Sequence, residues 1–349
     1  MPTRNYLFWP ILVTIAGLAG CFWLGWTYTG TIVGALPYLF IGCVLSVLEI
    51  SLSFDNAIVN ANKLQYMTEV WRRRFLTWGI LIAVFGMRII FPLAIVAVAA
   101  QISPWAAVEL AIAEPSEYER IIGDAHLSIS AFGGTFLMMV ALTYFVDAGK
   151  EVHWIHPIET CLQKGASIRG LEIVLVLIVI VGFASVLSDA LALTFMMSAL
   201  LGLLTFLGVD LLGELLDDRN ETVGTLARGG LGAFLYLEVL DASFSFDGVI
   251  GAFALTTTLF LIAIGLGVGA MYVRAMTIML VEKRTLTEFR YLEHGAFYSI
   301  LILSAIMFTQ SLIHVPEVIT GLMSAGFIGM ALWSSVLYNR KHVESLSSN

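Results

Sequence analysis

Apolar residues run for membrane-length stretches along this chain, at 6–30, 75–100 (interrupted only by Arg88), 127–146 and 248–273. Each reaches the roughly 20 residues that a helix needs to cross a bilayer. Extended along the chain, the pattern predicts about ten spans, at 7–29, 36–60, 75–100, 128–147, 171–187, 190–209, 231–254, 258–280, 293–313 and 317–338. The turn at Ser188-Asp189 is the least marked. The fold class is therefore an all-α polytopic membrane protein with nine to ten transmembrane helices.

Composition agrees. The 349 residues are 59% hydrophobic and 13% charged, against about 25% charged in an ordinary soluble domain, and mean hydropathy is +0.90. The first run is longer than the apolar core of a signal peptide and carries Trp23 and Trp26 as an interfacial anchor, so it reads as a retained span. Cys21, Cys43 and Cys161 form no CxxC pair and read as small apolar filler.

The placement of Lys and Arg gives a topology. With the N terminus inside, the inner segments hold Arg4, Lys63, Arg72, Arg73, Arg74, Lys150, Lys164, Arg169, Arg219, Arg228, Lys283, Arg284, Arg290, Arg340 and Lys341, and only Arg120 falls in an outer loop. The positive-inside rule then places both termini in the cytoplasm of a multi-pass protein of the inner membrane.

Two of the spans contain acids, and they repeat each other. Glu49-Ile50-Ser51-Leu52-Ser53-Phe54-Asp55 aligns with Asp241-Ala242-Ser243-Phe244-Ser245-Phe246-Asp247 at an offset of 192. The first copy precedes Lys63 and the arginines at 72–74; the second follows Arg219 and Arg228 and precedes the neutral Thr256-Thr257-Thr258 turn. The two helices are therefore antiparallel, as in transporters whose inverted repeats build a midplane site. Arg88 and Arg274 extend the symmetry, each in the succeeding span and shortly after a glycine, Gly86 or Gly269. The organisation that follows is an N-terminal span (1–30), a first three-helix repeat (31–150), a linker with additional spans (151–228), a second repeat (229–315), and a C-terminal helix and tail (316–349).

A carboxylate at the bilayer centre costs about 2.5–3.5 kcal/mol, so acids there usually face a cavity, a partner or an ion. Glu49 and Asp55 are six residues apart and point about 120° away from each other on a regular helix, which predicts an unwound backbone near Ser53–Asn56. The expected ligand set is all oxygen: Glu49, Asp55, Asn56, Glu238, Asp241 and Asp247, with Ser53, Ser245, Arg88 and Arg274 in support. Hard oxygen ligands suit Mn²⁺, Ca²⁺ or Mg²⁺ over zinc or copper. Crowded carboxylates that raise one another's pKa also offer a route to proton coupling. The purely structural alternative is that buried Asp–Arg pairs tie helices together.

Other polar features read as bland. His153, His156 and Glu159 have the spacing of one helical face, but Pro157 interrupts and the segment reads as a solvated loop. Glu109, Glu114, Glu117, Glu119 and Asp124 make an acidic outer loop, with Asp210, Glu214, Asp217, Asp218 and Glu221 its inner counterpart.

At the paired acids the chain resembles the TerC-like tellurite-resistance membrane proteins, within the broader LysE-type exporters. The match is Glu49 with Ser53-Phe54-Asp55-Asn56, and Asp241 with Asp247; where that family has Ser after the second Asp, Gly248 stands here. The resemblance spans 36–147 and 231–313. It implies Mn²⁺ export or metal homeostasis, with the divalent cation as substrate and no permanently bound cofactor. The expected partners are the lipid bilayer and the cation, with a homo-oligomer left open and no nucleic acid. The chain reads as a non-enzyme: it lacks a GxxxxGK[ST] loop, and neither Asp has the Tyr-Asp or Gly-x-Gly-Asp setting of intramembrane proteases. A non-transporting scaffold of a metal-stress complex and an exporter of an amino-acid-like solute are the alternatives.

Overall fold

The computed structural model describes residues 3–79, 81–168, 170–218, 230–256, 258–313 and 315–347. Of the residues singled out above, Arg169, Arg219, Glu221, Arg228 and Thr257 lie outside this set, as do the side chains of Arg4, Glu214, Asp217, Asp218, Phe246, Asp247 and Lys341.

Among the described residues all regular structure is helical. The order is α1 (Thr3–Thr29), α2 (Ile32–Leu52), α3 (Phe54–Tyr66), α4 (Glu69–Arg74), α5 (Phe91–Ala99), α6 (Pro104–Ala113), α7 (Pro115–Val146) and α8 (His156–Lys164). Then follow α9 (Leu171–Ala184), α10 (Asp189–Asp218), α11 (Leu231–Leu255), α12 (Leu259–Glu282), α13 (Thr285–Glu288), α14 (Leu292–Gln310) and α15 (Glu317–Ser347). Two π-helical segments, Phe75–Gly79 and Ile82–Ile90, join α4 to α5. Among the described residues, spans long and apolar enough to cross a bilayer lie within seven helices: α1, α2, α7, α10, α12, α14 and α15. Helix α11 has the length, at 25 residues, but carries three acids, Glu238 and the Asp241 and Asp247 of the second motif. Large apolar side chains such as Trp9, Phe40, Trp78, Leu204 and Trp333 stand on the outside of the bundle, a surface suited to acyl chains and not to water. The chain is a multi-pass, all-helical membrane protein.

Several boundaries differ from those the hydropathy pattern predicts. The span expected at 36–60 is two helices, and that expected at 75–100 is assembled from π-helical turns and α5. The span expected at 171–187 is the 14-residue α9. The segment expected as an acidic outer loop is helical: α7 begins at Pro115, and Arg120 pairs with Glu117 and Asp124 at 2.6 and 2.7 Å, the i,i+3 and i,i+4 contacts that let charged turns continue a helix. Nor does Pro157 interrupt its segment. It occupies the first turn of α8, where no backbone N–H is required.

Packing exchanges partners between the two motif-bearing units. Helix α2 lies along α12, whereas α11 lies along the Ile82–Ile90 segment, and the long α7 packs on α14. Each motif helix is thus covered by the second helix of the other unit. A large apolar core joins α3, α7, α9, α10, α11 and α14, and a smaller one joins α2, α5, α6, α11, α12 and the start of α7. The motif acids lie between them.

Candidate functional site

The first motif is broken and the second is not. Helix α2 starts on a Thr31 cap, whose hydroxyl accepts from the Gly34 N–H at 3.1 Å, and stops at Ser53 (φ −103°, ψ 15°). Helix α3 restarts one residue later and carries Asp55 in its first turn, where the helix dipole favours a carboxylate. The Glu49–Asp55 spacing predicts an unwound stretch near Ser53–Asn56; the interruption is confined to Ser53, and Asp55 and Asn56 already lie in α3. Helix α11 runs without interruption through Asp241 and Asp247.

Glu49 is buried and paired with Arg88; it also accepts from the Ser53 hydroxyl at 3.1 Å. Such close approach requires Gly269, since a Cβ there would stand 2.2 Å from Glu49 Cγ. Arg88 donates through Nε to the Leu266 carbonyl at 3.1 Å. Asp55 accepts the Asn56 N–H at 2.8 Å on Oδ1 and the hydroxyls of Ser299 and Ser324 on Oδ2, at 2.8 and 2.7 Å. Asn56 turns the other way and donates through Nδ2 to Asp241 Oδ1 at 2.7 Å. Arg274 donates to the Leu76 carbonyl.

These contacts divide the acids between two small cavities. One, of about 40 Å³, is lined by Asn60, Arg88, Glu238, Asp241, Arg274 and Thr277 among others. The other, of about 20 Å³, is lined by Glu49, Ser53, Asp55, Gly248, Thr320 and Ser324, with Leu52, Phe244 and Leu303 closing it. At or beside the larger cavity a set of buried acceptor oxygens has no hydrogen-bond donor: both oxygens of Glu238, Oδ2 of Asp241, Oδ1 of Asn56 and Oδ1 of Asn60. The Ser245 hydroxyl is also buried without a partner. Among the described residues no three His, Cys, Asp or Glu side chains gather closely enough to hold a metal ion by themselves; any cation in the larger cavity would need the amide oxygens as well.

Asn60 lines the larger cavity and Thr320 and Ser324 the smaller, with Ser299 bonded to Asp55 beside it; none of the four belongs to the repeated motif. Asn60 sits one turn after Asn56 on α3, and that i,i+4 repetition of amides in a membrane helix is a signal the sequence does carry. The serines and the threonine lie on α14 and α15 in apolar surroundings, where isolated hydroxyls are ordinary.

The segment expected to be a solvated loop also departs from expectation. Glu159 is fully buried. It accepts the N–H groups of Trp154 and Ile155 at 3.1 and 3.0 Å and the Tyr298 hydroxyl at 3.2 Å, and pairs with Lys150 at 2.9 Å. Burial pushes its carboxyl up, but Lys150, the Ile155 N–H and the nearby His294 outweigh that and hold it below the usual carboxylate range. The cluster fastens the segment after α7 to α14 and leaves His156 outside.

Residues 54–342 match the model of a family described as a protein of unknown function, DUF475. The chain belongs to the DUF475 family. The match begins just past the break at Ser53 and takes in Asp55, Asn56, Asn60, both arginines, all of α11, and the Ser299 and Ser324 positions. Glu49 precedes the DUF475 match. No curated protein and no solved structure matches the chain.

Proposed function

We propose that this protein is a secondary transporter that exports a divalent metal cation, Mn²⁺ first and Ca²⁺ second, from the larger cavity between the two repeats. The supporting observation is the set of donor-less buried oxygens on Glu238, Asp241, Asn56 and Asn60. A buried acceptor without a donor costs about 1–3 kcal/mol, more when charged, and a hard cation is the partner that suits several at once. Arg88 and Arg274 line the same cavity and moderate its charge, so that an ion can leave as well as enter. Proton exchange for the metal fits the two carboxylates. The TerC-like resemblance at the paired acids points the same way; the asymmetric placement of Lys and Arg supports an inner-membrane location with both termini cytoplasmic.

The test is flux of Mn²⁺, Ca²⁺ and Mg²⁺ into liposomes holding the purified protein, with and without a pH gradient. Comparison variants are Glu238→Gln, Asp241→Asn, Asp55→Asn and Asp247→Asn. Metal-selective flux that disappears in the Glu238 and Asp241 variants, with folding intact, supports the proposal; absence of flux and binding for every divalent ion removes it. A non-transporting scaffold is the second reading, favoured by the ties that Glu49–Arg88 and Asn56–Asp241 make between helices. It predicts that the same variants impair assembly and leave no ion-binding signal to lose.

A further inference from the structure

The smaller cavity differs chemically from the larger one. Its lining combines carboxylates with the hydroxyls of Ser53, Thr320 and Ser324. Glu49 is already balanced by Arg88, so among the described side chains of this cavity Asp55 supplies the single uncompensated negative charge. All of these groups are more than nine-tenths buried. The Thr320 hydroxyl, on α15, lines the cavity and has no hydrogen-bond partner. No side chain intrudes from Gly248, and the space of about 20 Å³ holds one water-sized particle.

We infer that this cavity is a binding site for a dehydrated small alkali cation, Na⁺ in practice, held by the Asp55 carboxylate and the hydroxyls of Ser324, Thr320 and Ser53, with Glu49 at its edge. One net negative charge and several neutral oxygens balance a monovalent ion. A divalent ion is usually held by more than one free carboxylate; of the two in this lining, Glu49 is committed to Arg88 and only Asp55 is left to balance an ion. The hydroxyls suit the task because each can rotate. Ser324 and Ser299 donate to Asp55 Oδ2 here, and Ser324 can instead turn a lone pair toward an ion in the cavity. Thr320 already has its oxygen uncommitted. The inference stands apart from the divalent reading, since it uses a different cavity and a different charge.

The experiment is equilibrium binding of radioactive ²²Na⁺ to the purified full-length protein in lipid nanodiscs with EDTA present. Wild type is expected to bind it saturably, with displacement by unlabelled Na⁺ and none by choline. Thr320→Val keeps the shape and removes the hydroxyl, and should weaken binding at least tenfold; Thr320→Ser should restore most of it; Ser324→Ala should weaken it as well. Elution of each variant as a single symmetric size-exclusion peak checks folding, and the Val and Ser variants at 320 decide the matter if Ser324→Ala misfolds. Absence of saturable binding in wild type, or binding undiminished by Thr320→Val, overturns the site. Mn²⁺ flux is read separately, and its absence would remove the transport proposal while leaving Na⁺ binding to stand on its own result.

Discussion

Arg88 and Arg274 each reach across to a main-chain carbonyl in the helical segment that follows the other motif, Arg88 to Leu266 on α12 and Arg274 to Leu76 in the first π-helical segment. Each guanidinium thus binds to the unit that the other comes from. The correspondence inferred from two charged positions in sequence is matched by a reciprocal pair of contacts in space. The two arginines are not equivalent, because Arg88 also pairs with Glu49.

Removal of Arg88 alone is expected to be costly. Arg88→Met leaves Glu49 charged and buried, with a loss of about 3–5 kcal/mol. Combining it with Glu49→Gln should recover most of that loss. Thermal unfolding of the single and double variants in detergent measures the coupling; simple additivity would mean that the pair is not what holds these groups.

Gly269→Ala should destabilise by about 1–3 kcal/mol, as overpacking does, because the new methyl meets Glu49 at 2.2 Å. Gly326→Ala on α15 is the control. A Cβ there meets nothing within 4 Å, so its midpoint should stay level or rise slightly. Equal losses in both variants would argue against the close approach of α2 and α12.

Glu238→Leu is expected to stabilise the metal-free protein by about 1–3 kcal/mol, since two donor-less buried oxygens disappear, and to abolish Mn²⁺ flux. Opposite movement of stability and function is the mark of a group retained for binding. Unfolding midpoints in EDTA, set beside liposome flux, check both halves.

The Glu159 cluster should confer a pH dependence. The folded-state pKa of Glu159 is depressed, so the unfolded chain binds more protons in the acid range. Its contribution is complete above the ordinary carboxylate value of about 4.3 and is lost as pH falls through the lower folded value. Glu159→Gln should flatten that part of the stability profile and cost about 3–5 kcal/mol near neutrality by leaving Lys150 unpaired. An unchanged acid limb in the variant would assign the pH dependence to other carboxylates.

Much of this architecture is legible in the sequence because lipid imposes long apolar runs and makes intramembrane charges conspicuous. Glu49, Asp241, Arg88 and Arg274 stand out for that reason, and the Glu49–Asp55 spacing predicts an interruption near Ser53–Asn56, though not its confinement to Ser53. Hydropathy is blind to what depends on pairing. The acidic turns at the start of α7 look like loop until Arg120 is seen between its two partners, and Glu159 looks solvated until Lys150 and Tyr298 close over it. Ser299, Thr320 and Ser324 come from helices far along the chain, and nothing local distinguishes a hydroxyl that meets Asp55 from one that bonds its own helix, as Ser334 and Ser335 do.

The break at Ser53 has a mechanical consequence. Asp55 and Asn56 share one peptide unit at the freed end of α3, yet one faces the hydroxyl-lined cavity and the other is bonded to Asp241 beside the amide- and carboxylate-lined one. Neighbouring side chains on a helix are set about 100° apart, so any twist of α3 about its own axis withdraws or advances both together. A rotation of this short helix would therefore be felt in both chambers at once, with the uninterrupted α11 as the surface it moves against.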